Sequence, residues 1–379
     1  MSTSTGQNPE GKPEAKPGTK TQDRPLLFIS SSPHIGSTTN TRILMQRVLF
    51  ALAPISVFAV ALYGVSALWT ILVSVVSAEL AEALFRKITR QAIRNRDLSA
   101  AVSGLLLALI LPPGMPLWMT AMGAAFAIIV AKEFFGGLGA NVFNPALIGR
   151  AFLLMSFPVA TTSWTLPRAF YGAGTLGAAA DALSKATPDV LSSATPLQLI
   201  RSGIGIAEIG SSLAAAGLAA GSSYLSTIWS FFLGFRSGCI GESSIILILF
   251  GFIYLLASKT IDWRAPVSMV VSVFVFSLLF GRDPLFSILA GGALFGAVFM
   301  TTDYVTSPLT SSGKLIFGFG AGLVTVLIRQ WGNYPEGVTY GILIMNAVVP
   351  YLNKFLQKKY GYIKPQKAAK TDPANGGSK

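Results

Sequence analysis

Long apolar runs with almost no charge inside them constrain this chain more than any other feature. They fall at 47–64, 66–85, 98–111, 116–132, 147–160, 243–258, 265–281, 285–301, 315–331 and 338–354. A helix needs about 20 residues to cross a bilayer, so several of these runs are short. Only 12% of the 379 residues are charged and 52% are hydrophobic, whereas a soluble domain carries about 25% charged residues. These figures exclude most soluble enzyme classes. They predict an all-α integral membrane protein of about ten transmembrane helices. Short, Gly-rich spans predict broken or half helices around a site inside the membrane. The stretch from Tyr224 to Phe235 is too short to cross and reads as a half-helix or an interfacial piece.

One cysteine and one histidine exclude a disulfide framework, a cysteine-ligated cluster and a multi-histidine metal or haem site within the chain. No metal is expected. A net charge of +13 would suggest nucleic acid on a soluble protein. Here the basic residues sit at span ends, which sets orientation and implies a lipid surface and no nucleic acid. Arg86, Lys87, Arg90, Arg94 and Arg96 follow the second span, and Lys354, Lys358 and Lys359 follow the last. Pro112 to Met115 carries no basic residue. Both termini are therefore expected in the cytoplasm, with 161–224 outside.

The expected organisation is a disordered cytoplasmic tail at 1–41, a five-helix membrane repeat at 42–160, an extracytoplasmic loop at 161–224, a second repeat at 225–356 and a basic cytoplasmic tail at 357–379. The head is too poor in apolar residues to offset its ordering entropy and lacks the pattern of a signal peptide. Pro116–Met119 and Pro284–Phe286 each open a span, and polar Gly/Ser-rich segments follow at Phe135 to Pro145 and Thr301 to Gly313. Five spans followed by five place the halves in opposite orientations. That is the pattern of inverted repeats with a site at their junction.

Two segments stand apart from the spans. Gly136, Gly137 and Gly139 precede Asn141, Asn144 and Pro145. Irregular backbone at membrane depth is tolerated where protein or a cavity covers it. An ordinary cytoplasmic loop reads the same way. Asp189 to Pro196 is a Ser/Thr loop by composition, and nothing in its periodicity singles out Thr195. Ionisable residues near the spans are functional candidates by default. Glu79 and Asp303 are candidates for a Na⁺ or H⁺ route, and Glu242 for a cation contact. The alternatives are a Glu82–Arg86 helical ion pair and an acid favoured near a helix start. Gly137, Asn141 and Asn144 join this candidate set. Cys239 reads as a small buried residue and His34 as an interfacial one. Trp69, Trp118, Trp229, Trp263 and Trp331 read as an aromatic belt.

The order and spacing of several pieces resemble a known family. They run from Ser32-Pro33-His34-Ile35 through Leu111-Pro112-Pro113, Gly136-Gly137-Leu138-Gly139, Asn144-Pro145-Ala146, Gly149-Arg150-Ala151-Phe152 and Gly241-Glu242-Ser243 to Thr302-Asp303. The chain resembles the RnfD proteins of the Rnf electron-transport complex. These are similar in turn to the NqrB proteins of the Na⁺-translocating NADH:quinone reductase. The resemblance implies a flavin-carrying membrane component of a ferredoxin:NAD⁺ oxidoreductase that couples electrons to Na⁺ or H⁺ translocation. It also implies a bacterial or archaeal cytoplasmic membrane and partner subunits that hold the electron donor and acceptor. A subunit of this kind does not turn over alone. In that family a flavin transferase esterifies the last Thr of Asp-x-x-Ser/Thr-Gly-Ala-Thr with the phosphate of FMN. Here the motif is Asp189, Ser192, Ser193, Ala194 and Thr195, with Ser193 where the family usually has Gly. Thr195 is thus the implied attachment site for covalent FMN. Noncovalent riboflavin in the membrane part is implied without a location, which makes Gly137, Asn141, Asn144, Glu242, Asp303 and Glu79 candidates for a flavin as well as a cation contact. Rival readings are the NqrB-like component of the quinone reductase, an inverted-repeat solute channel without a redox role, and a scaffold that has lost its flavin.

Overall fold

The computed structural model describes residues 40–92, 97–165, 192–193, 197, 200, 206, 223–234, 237–332 and 337–356. The architecture is helical. Helices α1 (Thr41–Tyr63) and α2 (Val65–Ile88) form a hairpin around Gly64. α3 (Ser99–Ile110) is followed by α4 (Leu117–Ile128), which widens into a π-turn over Ile129–Glu133. α5 (Pro145–Ser156) and the single turn α6 (Pro158–Thr161) complete the first half. The second half holds α7 (Tyr224–Leu233), α8 (Ile245–Ala257), α9 (Arg264–Leu279), α10 (Pro284–Leu289), α11 (Ala293–Phe295, extended by a π-turn over Gly296–Met300), α12 (Ser311–Trp331) and α13 (Val338–Leu356).

Local chemistry sets these boundaries. The Asn40 side chain accepts from Ile43 N at 3.0 Å and opens α1. Asn144 accepts from Ala146 N at 3.0 Å, and Pro145 behind it is pre-set for a first helical turn. Asp283 caps Phe286 N at 2.9 Å ahead of Pro284. Thr310 caps Gly313 N at 3.1 Å at the start of α12.

The outer surface is apolar, and several charged and polar side chains are buried within the hydrophobic core. Val57, Leu80, Ile253 and Leu278 are all more than 60% exposed, while Glu82, Lys132 and Asn346 are almost fully buried. That inversion suits hydrocarbon as the solvent. Trp69, Trp118, Trp229, Trp263 and Trp331 all face outward. α1, α2 and α12 are long and apolar enough to cross a membrane; α3, α5, α7, α8 and α9 are apolar but shorter.

The halves are built alike and run in opposite directions. α1 and α8 pack antiparallel: Arg47 Nη1 donates to Ser258 O at 2.9 Å, and Gly251 lies against the Ala51 carbonyl. In the first half the ends of α2 and α4 meet, where Glu82 and Arg86 face Lys132 and Glu133. In the second half α9 and α12 run parallel, with Ser268 and Ser272 donating to Leu315 O and Phe319 O. Thus α1, α2 and α4 correspond to α8, α9 and α12. The single helix α3 corresponds to α10 plus α11, which are separated by Ala290–Gly292.

Two expectations change here. Span 285–301 is broken at Ala290–Gly292, because Gly291 and Gly292 adopt φ of 66° and 68°, a left-handed conformation that ends a helix. Pro116 and Pro284 are also not equivalent. Pro284 opens the counterpart of α3, whereas the counterpart of Pro116 is Thr310, the cap of α12. Tyr224–Leu233 is a short helix, as the half-helix reading anticipates.

Candidate functional site

Most buried charge lies on the face that carries Asn40. α2 supplies Glu82 and Arg86, and the π-turn of α4 supplies Lys132 and Glu133. Lys132 Nζ sits 2.7 Å from Glu82 Oε2 and 2.6 Å from Ser99 Oγ. Arg86 Nε lies 3.1 Å from Glu133 Oε2 and 3.4 Å from Glu82 Oε1. Two acids and two bases cancel, which is how charges persist away from water. The expected Glu82–Arg86 pair is therefore one edge of a four-membered network. Gly137 adjoins it: with φ of 90° it leaves the space into which the Arg86 guanidinium projects.

Lys132 and Ser99 also line a cavity with about 690 Å³ of open space including its mouth. Asn141, Asn144 and Asp303 share that wall. The structure thus brings together three of the sequence candidates from opposite halves. Asn346 on α13 joins them. With its amide suitably turned, it donates to Thr306 O at 3.3 Å and accepts from Asn144 N at 3.2 Å. Asp303 Oδ2 accepts from the Thr306 hydroxyl at 2.9 Å. Burial pushes the Asp303 carboxyl above its ordinary range, against the hydrogen bonds from Thr306, Val305 and Tyr304. The Tyr304 hydroxyl donates to the Thr260 carbonyl. Burial pushes that phenol up to about 12.

Beside this cavity is the loop from α8 to α9. Asp262 accepts from Arg264 Nη1 at 2.8 Å and from Lys314 Nζ at 3.1 Å. Burial works to raise its carboxyl, but the hydrogen bonds from Arg264 and Lys314 outweigh it and hold it below the ordinary range.

The other sequence candidates lie elsewhere. Glu242, in the turn Ile240–Glu242, lines a second, smaller cavity with Arg150 and Cys239. Arg150 Nη1 approaches Cys239 Sγ at 3.4 Å, and the cysteine is buried. Glu79 lies on α2 and lines neither cavity. Asp189, Ala194, Thr195 and His34 lie outside the described residues. Ser192–Ser193 pairs antiparallel with Trp164–Thr165. Among the described residues, the buried Trp164 Nε1 and Thr165 Oγ1 have no hydrogen-bond partner. Unpaired polar atoms inside a protein are rare and call for an explanation.

Sequence reading missed Lys132, Glu133, Arg150, Arg329 and Asn346. The available signal was the position of the first four, which are charges inside or at the end of apolar runs.

These features define a class: a multi-pass helical membrane protein of two opposed repeats, with a largely apolar cavity where the repeats meet, into which Lys132, Asn141, Asn144 and Asp303 bring polar groups. The chain belongs to the NQR2, RnfD, RnfE family, whose profile matches residues 28–361. It is 40% identical over 344 residues to the D component of the proton-translocating ferredoxin:NAD⁺ oxidoreductase complex of Clostridium ljungdahlii, covering 89% of this chain and 96% of that one. It is 39% identical to the D component of the Na⁺-translocating ferredoxin:NAD⁺ oxidoreductase complex of Acetobacterium woodii, over 91% and 98% of the two chains. It is 37% identical to the D component of the ion-translocating oxidoreductase complex of Stutzerimonas stutzeri, over 84% and 91%.

Proposed function

We propose that this chain is the RnfD-type membrane component of an ion-translocating ferredoxin:NAD⁺ oxidoreductase complex and carries a flavin on Thr195. The near full-length similarity to the D components of such complexes carries this reading. A bound flavin exchanges one or two electrons, which suits a relay between two-electron and one-electron partners. The residues around the motif contribute binding. The Ser192–Ser193 backbone is fixed against Trp164–Thr165. Leu197, two residues past Thr195, is buried with Phe231 and Phe286. The segment is thus anchored on both sides of the acceptor hydroxyl. A flavin transferase would act on it from the extracytoplasmic side.

The test is ultraviolet fluorescence of the protein after denaturing electrophoresis, expressed with the flavin transferase. Wild type should give a fluorescent band and Thr195→Ala none. A dark wild-type band would refute the attachment, and a fluorescent Thr195→Ala band would move it elsewhere.

The cavity bounded by Asn141, Asn144, Lys132 and Asp303 is the place for a noncovalent riboflavin or a cation, because it joins amide donors to one buried cation and one acid. Relatives at 40% and 39% identity are named for H⁺ and Na⁺ respectively, so overall similarity does not choose the ion. Quinone reduction by the purified complex, without ferredoxin:NAD⁺ activity, would favour the NqrB-like reading instead. The protein works with partner subunits in the cytoplasmic membrane, with both termini inside.

A further inference from the structure

The break between α10 and α11 leaves carbonyls without helical partners. Three of them converge on one cation. Arg329, near the end of α12, donates through Nη1 to Ser287 O and through Nη2 to Ala290 O and Gly291 O, the latter two at 3.1 Å. The guanidinium is buried. α10 spans six residues, so at 1.5 Å per residue the cradle lies about 9 Å along the chain axis from its Asp283 cap. Gly291 is required twice: its φ is 66°, and a Cβ there would stand 2.9 Å from Arg329 Nη2. On the far side of the break Glu242 closes against Gly292, whose Cβ would stand 2.8 Å from its Oε1.

Converging backbone carbonyls at a broken membrane helix are the donor set that transporters use for monovalent cations. Here an arginine of the chain itself fills that set. The other repeat differs: Lys132, near the end of α4, bonds the Ser99 hydroxyl and the Glu82 carboxylate beside an unbroken α3, so the carbonyl cradle belongs to α10–α11.

We propose that Arg329 is a tethered cation that occupies a monovalent-cation site at the break and keeps it closed to free ions. This rests on the reading of the chain as part of an ion-translocating complex. A leaking site would let the ion gradient run back without electron flow. The neutral Arg329→Gln variant cannot satisfy the three carbonyls and opens the cradle to Na⁺, K⁺ or Rb⁺. Arg329→Lys keeps the charge and should stay closed.

The test uses the intact complex in proteoliposomes. Passive ²²Na⁺ and ⁸⁶Rb⁺ efflux is measured without redox substrates, and ions accumulated per electron are measured with them. Arg329→Gln should raise passive efflux roughly tenfold and lower the ion yield per electron while electron transfer persists. Arg329→Lys should match wild type. Efflux and yield unchanged in Arg329→Gln would overturn the proposal, as would an equal leak in Arg329→Lys. Gly291→Ala, which displaces the guanidinium, is the second variant if Arg329→Gln does not assemble, and it should leak. Failure of both variants to assemble would assign the contact to folding and also overturn it. Wild-type complex that drives no ion uptake would instead refute the functional reading.

Discussion

At the scale of single residues the buried charges decide most. Lys132 holds Glu82 and Ser99 together inside the protein. Removing one partner of a buried pair costs about 3–5 kcal/mol, because the remaining charge is stranded. Lys132→Met should therefore strongly lower the thermal unfolding temperature in detergent. Adding Glu82→Gln should restore part of the loss. A double variant no better than the single one would mean that packing, not charge, is lost. Asp262 behaves differently because its side chain keeps 22% exposure. Its pair with Arg264 and Lys314 is worth at most about 1 kcal/mol. Since the folded-state carboxyl lies below the ordinary value of 3.8, its contribution is complete above that value and disappears as pH falls through the depressed one. Asp262→Asn should thus be less stable than wild type by a constant amount from pH 7 to 5. The two curves should converge below pH 3.8. A gap that narrows near neutral pH would contradict the assignment.

At the scale of elements, capping fixes where α5 begins and so where the cavity wall stands. The Asn144 side chain bonds Ala146 N, and its backbone N–H meets Asn346. Asn144→Ala should cost about 1 kcal/mol as a lost cap. Asn144→Asp keeps an accepting oxygen and should restore that stability, while placing a second acid in the cavity of Asp303. With riboflavin in this cavity as proposed, flavin retained by the purified protein should then drop in Asn144→Asp although its unfolding temperature recovers. Equal destabilisation by both variants would rule out the cap. This cap was legible in the sequence, since Asn-Pro before an apolar run is a local signal. So were most spans and the outward tryptophans. The break at Ala290–Gly292 was not, because two glycines in an apolar run also suit a straight, closely packed membrane helix. Nor was the network around Lys132, whose partners Glu82 and Ser99 lie 50 and 33 residues away in sequence. Only the fold brings them together. The Thr195 motif shows the reverse: its meaning comes from family resemblance, and neither composition nor periodicity carries it.

At the scale of the whole molecule the two opposed halves place equivalent residues on opposite sides of the bilayer. α12 has 21 residues and is about 31 Å long, enough to cross the roughly 30 Å hydrocarbon layer. Leu309, just before α12, is exposed on the face of Asn40, whereas Trp331 is exposed at the opposite end. α4 is the counterpart of α12 but starts on the opposite face, where Trp118 is exposed and packs on Phe157 at 5.4 Å. Cys239, the only cysteine of the chain, is buried, so single-cysteine probes need little background removal. A membrane-impermeant maleimide applied to sealed vesicles should label Leu309→Cys from one side, and Trp118→Cys and Trp331→Cys from the other. Labelling of Leu309→Cys and Trp118→Cys from the same side would make the two halves parallel. The equivalence of α4 with α12 would then fail, and with it the inverted-repeat reading that sets Lys132 and Arg329 toward opposite faces.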